Sequence, residues 1–402
     1  MKLSQRVSQV KPSATLAINA KARLLRSQGV RVISFGVGEP DFDTPHHIGQ
    51  MAVQAVLRGQ TRYTPVQGIP ELKEAILRTV EADYGLAYEP DDVLVSCGGK
   101  HCLYNLFQAV LDPGDAVIIP SPYWVSYPDM VRLAGAEPVF VPCAEARGFK
   151  MTPEDLRRAI TARTRMLILN SPSNPTGTHY RPEELRALAE VLLEHDHVII
   201  VSDDIYYRIL FDDLSWANMA MVEPRLKDRT FIVNGVSKTY AMTGWRIGYL
   251  LGDRDVIKAA GKIQSQSTSN PSSVAQWAAV AALKGEQETS EKMVRVFAER
   301  RAYVMDRLAR LPGVSCPMPD GAFYVFPNVS AYYGAKVGGR TIDGSSALAD
   351  YLMEEVHLAV VPGEAFGEDR CIRLSFALSM DELREGFDRL ERALQKLAPQ
   401  TT

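Results

Sequence analysis

The sequence predicts an α/β protein with a mostly parallel seven-stranded sheet, helices on both faces, one antiparallel strand, and a smaller α+β domain. Three observations carry that expectation. Seven short β-rich runs occupy the first two thirds of the chain, several apolar at every position, as strands covered on both faces must be. Helical patterns alternate with many of them, as crossover connections in a parallel sheet require. The last third loses this rhythm and carries one long amphipathic pattern, a Pro/Gly-rich stretch and a few short strands.

The elements follow in order. Residues 1–44 form an arm that ends in Gly36-Val37-Gly38-Glu39-Pro40-Asp41 and is expected to pack on the smaller domain. Residues 45–285 form the large domain. Its first clear helix, Pro70–Tyr84, opens with proline and stops at Gly85, a favourable cap pair. The strands are Val93–Ser96, Ala116–Ile119, Pro138–Val141, Met166–Asn170, Val198–Ser202, Thr230–Asn234 and Ile247–Leu251, with helices at Lys100–Leu111 and Pro182–Glu194 among them. Only residues 235–246 separate the last two strands, and they include Gly235 and Gly244. That is barely enough for a crossover helix, so Ile247–Leu251 is expected to run antiparallel. Residues 286–402 form the smaller domain. It holds a helix near Gln287–Leu311, the turn-rich Pro312–Gly321, strands Phe323–Phe326, Leu358–Val361 and Ile372–Phe376, and a last helix near Met380–Leu397.

Composition narrows the functional classes. Across 402 residues, 45 Lys+Arg against 48 Asp+Glu give a net charge of −3, which argues against a nucleic-acid binder. The five cysteines, at 97, 102, 143, 316 and 371, include no C-x-x-C pair and fit reduced thiols in a cytoplasmic protein. Cys97 and Cys102 are expected in the core. The N-terminus lacks the apolar stretch of a secretory signal, and the longest clean apolar run, Trp277–Leu283, is far short of a membrane span.

In open α/β sheets ligands bind at the carboxyl ends of the strands. The residues that follow each strand there include Gly98, Gly99, Lys100, Trp124, Asn174, Asp203, Tyr206, Ser237 and Lys238, with Arg246 entering the antiparallel strand from the same edge. Gly98-Gly99 at a helix start leaves N–H groups free for a phosphate, and Arg246 can grip the same group. Trp124 offers a face to an aromatic ring, and Asp203 a carboxylate to a ring N–H⁺. Asn174 and Tyr206 can donate to a ring hydroxyl, and Lys238 can trap a carbonyl. Together they describe a pyridoxal 5'-phosphate site. Taken singly, each has a bland reading as a turn, a core side chain or a surface charge. Their shared edge is what favours the joint one. His195-Asp196-His197 lies away from that edge and is read as structural, with no metal expected.

The motifs also carry a family likeness. Ser237-Lys238-Thr239-Tyr240-Ala241-Met242-Thr243-Gly244-Trp245-Arg246-Ile247-Gly248-Tyr249 resembles the lysine signature of class I aminotransferases, which are fold type I pyridoxal-phosphate enzymes. Asn170-Ser171-Pro172-Ser173-Asn174-Pro175-Thr176-Gly177 and Ser202-Asp203-Asp204-Ile205-Tyr206 match as well, and the likeness runs over nearly the whole chain. It is strongest to bacterial aspartate aminotransferases of the Iγ branch, some of which also act on prephenate. The resemblance implies that Lys238 is the Schiff-base lysine and proton shuttle. It implies that Asp203 holds the ring nitrogen, Trp124 stacks on the ring, and Asn174 and Tyr206 bond its 3'-oxygen. Gly98, Gly99, Lys100, Ser237 and Arg246 would surround the phosphate. Arg373 would clamp the substrate α-carboxylate beside Gly38, Trp124 and Asn174. Tyr63 resembles a tyrosine that reaches the neighbouring subunit's phosphate, which implies a homodimer with shared sites.

One departure from the α branch matters. Ser265 stands where that branch has an arginine for the distal carboxylate, so the Iγ pattern offers Lys100, with Lys11 and Thr15, instead. The resemblance thus implies amino-group transfer between amino acids and 2-oxo acids, aspartate and 2-oxoglutarate foremost. An aromatic or alanine aminotransferase, or a C–S lyase of the same fold, stands as the alternative.

Overall fold

All seven expected strand runs lie in one sheet, whose spatial order is Val93–Ser96, Gly248–Leu251, Thr230–Gly235, Ile199–Asp203, Thr164–Asn170, Ala116–Ser121 and Glu137–Pro142. This is a computed structural model, and it describes residues 2–10, 12 and 14–397. Gly248–Leu251 is antiparallel to both its neighbours, as the short connection demands, and the other pairings are parallel.

Strand alternation explains why both faces need helices. Val93 and Val95 pack into one buried cluster with Ile48, Leu72 and Ile76, while Leu94 between them packs into another with Leu103, Leu106 and Phe107. Ile232 divides from Phe231 and Val233 in the same way. Successive side chains on a strand point to opposite faces, so an all-apolar strand buries itself only between two helical layers. The helix Pro70–Tyr84 ends on Gly85 at φ 65°, the left-handed cap that its sequence announces.

The C-terminal part builds a separate core. Val361–Pro362, Ile372–Ser375 and Tyr324–Val325 form a three-stranded antiparallel sheet. The expected run Leu358–Val361 is split. Its first half, Leu358–Ala359, pairs with Ile33–Ser34 of the arm, and its second half turns to Ile372–Ser375. A core of Phe35, Phe297, Phe323, Phe376 and Phe387 joins the arm to the helices Glu288–Ala309 and Met380–Gln395. The closing helix starts on a capping box of Ser379 and Glu382. Cys102 is buried as expected, but Cys97 is only half-buried, because it sits in the turn that leaves the sheet for the cavity below. Among the described residues no helix is long and apolar enough to cross a membrane.

Candidate active site

The carboxyl ends of the parallel strands open into a cavity of about 270 Å³ lined by Gly38, Gly99, Lys100, Trp124, Asn174, Asp203, Tyr206, Ser237, Lys238, Arg246 and Arg373. Eleven positions singled out in the sequence are thus brought together. Gly98 lies just behind the wall, as the N-cap of the helix Gly99–Val110.

One end of the cavity is suited to an anion. The first N–H groups of Gly99–Val110 have no partner inside their own helix. Gly98 takes φ 90°, and a Cβ there would come within 2.3 Å of Arg246 Nη2. Glycine therefore lets the guanidinium close on the helix start. Arg246 donates to Thr243 O at 2.8 Å and to Cys97 O at 3.2 Å, which fixes its fork. Lys100 is exposed at the rim, with its amine 5.0 Å from the Trp124 ring centroid. Desolvation there and the charge of Arg246 hold that amine below the usual lysine range.

The floor is acidic and buried. Asp203 closes its strand, and its Oδ2 accepts from Tyr127 Oη at 2.6 Å. Burial pushes its carboxyl up to about 6, against the opposing pull of the Tyr127 hydroxyl. No cation lies within ion-pair distance of Asp203 among the described residues; Lys238 acts on this buried carboxylate only from across the cavity. The neighbouring Asp204 turns away, as strand alternation requires, and takes Ser202 Oγ and Asn218 Nδ2. Asn170, the strand partner of Asp203, donates from Nδ2 to the Asp203 carbonyl at 2.8 Å.

The cations on the other side come from distant segments. Lys238 follows the strand Thr230–Gly235, and its Nζ donates to Gly38 O at 2.6 Å. Burial lowers its pKa to about 8. Glu39 opposes that shift, while Arg373 and Arg246 add to it. Arg373, fully buried, donates to Asn174 Oδ1 at 3.1 Å and to Gly36 O at 2.9 Å, with its plane 4.5 Å from the Tyr324 ring centroid. Tyr206 Oη and Tyr324 Oη lie 3.0 Å apart.

Three expected residues are not among those that line the cavity. Tyr63 is 92% exposed and outside this cavity. Thr15 is the second residue of the helix Ala14–Ser27, and Lys11 lies outside the described residues. Ser265 bonds its own helix, at Lys262 O. Sequence reading did not single out Tyr127, Tyr324, Asn170 or Glu39. Tyr127 opens the helix Tyr127–Leu133, and its N–H donates to Trp124 O at 3.0 Å, so the turn that carries Trp124 delivers Tyr127 to the same site. Tyr324 carries no such signal, because its strand reaches the site only through the tertiary fold.

This donor set fits a phosphorylated, cationic aromatic aldehyde. It offers an anion cradle, a flat indole, a buried carboxylate without a direct ion pair and an amine of lowered pKa. The model of the class I and II aminotransferase family matches residues 30–390. An aspartate aminotransferase of Geobacillus stearothermophilus is 50% identical over 398 residues, covering 99% of this chain and 100% of that one. An aspartate/prephenate aminotransferase of Cereibacter sphaeroides is 52% identical over 390 residues, covering 97% and 98%. Among solved structures, the aspartate aminotransferase from Rhizobium meliloti superposes with a TM-score of 0.95 at 45% identity, covering 99% and 100%. The Thermus thermophilus aspartate aminotransferase with maleate gives 0.91 at 44% identity, covering 98% and 100%.

Proposed function

The chain belongs to the class I and II aminotransferases, and from that premise we propose that it moves an amino group between L-aspartate and 2-oxoglutarate, giving oxaloacetate and L-glutamate, with pyridoxal 5'-phosphate as cofactor. Prephenate is a further acceptor in this reading, since an aspartate/prephenate aminotransferase is among its near relatives. The observation that carries the proposal is that one cavity is lined by both the buried Arg373 and, at its rim, Lys100, which gives two cations for a dicarboxylate.

Each residue has a job that its surroundings support. Gly98, Gly99, Ser237 and Arg246 would hold the cofactor phosphate, Trp124 its ring, Asp203 its ring nitrogen, and Asn174 and Tyr206 its ring oxygen. When bound, the cofactor supplies an electron sink for the bond that breaks at the substrate Cα. Asp203, ionised above about pH 6, keeps a positive charge on the ring nitrogen. Lys238 Nζ, with a pKa near 8 rather than the usual 10.5, is free base often enough to take the Cα proton and return it. Arg373 receives the α-carboxylate on its planar fork, oriented by Asn174 and Gly36. Tyr324, buried beneath that fork, keeps water from it.

We assign the active unit to a homodimer with shared sites. Tyr63 is exposed, and Val53, Val56 and Leu57 of the helix His46–Leu57 present a neighbouring exposed apolar face, which is the surface a second copy would cover. Mixing inactive Tyr63 and Lys238 variants should restore activity through hybrid dimers. No recovery, with subunit exchange confirmed, would remove the shared site.

The substrate assignment is tested by a half-reaction panel. The full chain loaded with pyridoxal 5'-phosphate is given aspartate, glutamate, phenylalanine or alanine, and loss of the cofactor's visible band is timed. Aspartate and glutamate should react fastest. Faster reaction with phenylalanine or alanine would replace this reading with an aromatic or alanine aminotransferase.

A further inference from the structure

Residues 36–44 cross the site as a strap, tied to the lysine loop of residues 236–247, to the strand Ile372–Ser375 and to the helix Glu288–Ala309. Gly36 O accepts from Arg373 Nη2 at 2.9 Å and Gly38 O from Lys238 Nζ at 2.6 Å. Glu39 Oε2 accepts from Thr243 Oγ1 at 2.6 Å. Asp41 takes both Nη atoms of the buried Arg300, at 2.6 and 2.8 Å. Thr44 Oγ1 donates to Ala241 O and accepts from Trp245 Nε1. Each of these ties uses at least one side chain. The tie at Glu39 differs in kind. Its carboxylate is exposed, forms no ion pair among the described residues, and follows directly on the carbonyl that holds Lys238. Its partner Thr243 stands in the loop that leaves Lys238 and lines the same cavity. Lys238, Gly38, Glu39 and Thr243 therefore close a ring of two hydrogen bonds and two short stretches of chain.

We propose that Glu39 is a positioning residue: its carboxylate latches the strap onto Thr243, holds the Gly38 carbonyl on the Lys238 amine, and sets the pH at which that amine gives up its proton. The inference rests on Lys238 being the amine that takes the cofactor. Four charged groups bear on that amine: Glu39 on the strap, Asp203 on the sheet, Arg373 on the small sheet and Arg246 at the end of the lysine loop. The two acids favour the ammonium and the two arginines oppose it. Glu39 bears also on Tyr324, a neutral phenol beside Arg373. Without the Glu39 charge the arginines face Asp203 alone, so the amine must lose its proton at lower pH. Removing only the Thr243 hydroxyl keeps the charge but loosens the strap beside Gly38, whose carbonyl then favours the ammonium less strongly.

The test follows how fast the full chain, stripped of cofactor, captures pyridoxal 5'-phosphate across a pH series, read from the visible band. In the wild type the rate should rise through a midpoint near 8. Glu39→Gln, which keeps an acceptor for Thr243 but loses the charge, should move the midpoint down by about half a unit to one unit. Thr243→Val should move it in the same direction by less. Both positions are at the surface or rim, so folding is not at issue, and a residue with a purely structural role would leave the midpoint in place. An unmoved midpoint in either variant overturns the latch while leaving Lys238 its role. A capture band that survives Lys238→Ala overturns the Lys238 reading and this inference with it.

Discussion

The floor of the cavity is built by neighbours, and its rim by segments far apart in the chain. On the floor, Asn170 pairs in register with Asp203, and Asp203 with Val233, on adjacent parallel strands. At the rim, Gly38 lies 200 positions from the Lys238 it holds, and Gly36 lies 337 positions from Arg373. A hydrogen-bonded ladder with helices on both faces fixes the floor. The rim is held by single hydrogen bonds between a strap, a small sheet and a helix start. The difference teaches a division of labour in the proposed reading: the residues assigned to the cofactor stand on or just after the sheet's strands, and those assigned to the substrate on the joined segments. Floor variants should then depress every substrate alike, whereas rim variants should choose among substrates.

The largest effect belongs to Lys238, which completes the floor and is also held by the rim. Lys238→Ala removes the amine altogether and should lose nearly all turnover while cofactor still binds without its covalent band. Retained normal transamination would dissolve the proposed floor. Asp203→Asn comes next. It keeps the shape but replaces a charge with a neutral amide, and turnover should fall by orders of magnitude on aspartate, glutamate and phenylalanine alike. The pH profile gives a second reading. Asp203 ionises as pH rises through about 6, so cofactor retention in the wild type should weaken below that pH. In Asp203→Asn that acid limb should vanish. A variant that loses one substrate and keeps another would break the comparison.

The same division decides what was legible in the sequence. The floor could be read because each of its residues follows a β-rich run, and parallel strands must deliver their carboxyl ends to one edge. Asp203, Lys238 and Asn174 needed only that rule. Arg373 and Gly38 were reached through family likeness, because no periodicity predicts which strap meets which strand. Tyr324 was missed for that reason, and Glu39 because an exposed glutamate in a turn looks like any other. The split of Leu358–Val361 was invisible in the sequence, since a continuous apolar run does not show that its halves serve different partners.

Lys100→Ala tests the rim. A hydrogen bond to a charged group contributes roughly 1.5–3 kcal/mol, so kcat/KM for aspartate and glutamate should fall about ten- to a hundredfold. Phenylalanine should be nearly unaffected. A parallel fall on all three would move Lys100 to the floor, as a partner of the phosphate alone, and would remove one of the two cations on which the dicarboxylate assignment rests.

The smallest effect sharpens the comparison most, because it separates a floor residue from its support. Tyr127 touches neither rim nor strap; its hydroxyl donates to Asp203 Oδ2 at 2.6 Å inside the sheet-facing core. That bond favours the ionised carboxylate, against the burial that pushes it up to about 6. Tyr127→Phe removes the donor and leaves the ring volume in place. The Asp203 pKa must then rise, and the acid limb of cofactor retention should move to higher pH by up to about one unit. Well above that limb Asp203 is ionised in both proteins, and turnover should fall only a few-fold. Near pH 6 the gap should widen, because the wild type is then about half ionised and the variant mostly neutral. As a floor variant it should show the same ratio on aspartate, glutamate and phenylalanine at each pH. An acid limb that stays put would mean that the Ile205 N–H, which also donates to the Asp203 carboxylate, holds it without Tyr127, whereas a ratio that differs among substrates would mean that floor and rim are coupled through the ring of Trp124, which packs edge-on against Tyr127 at 5.3 Å between centroids.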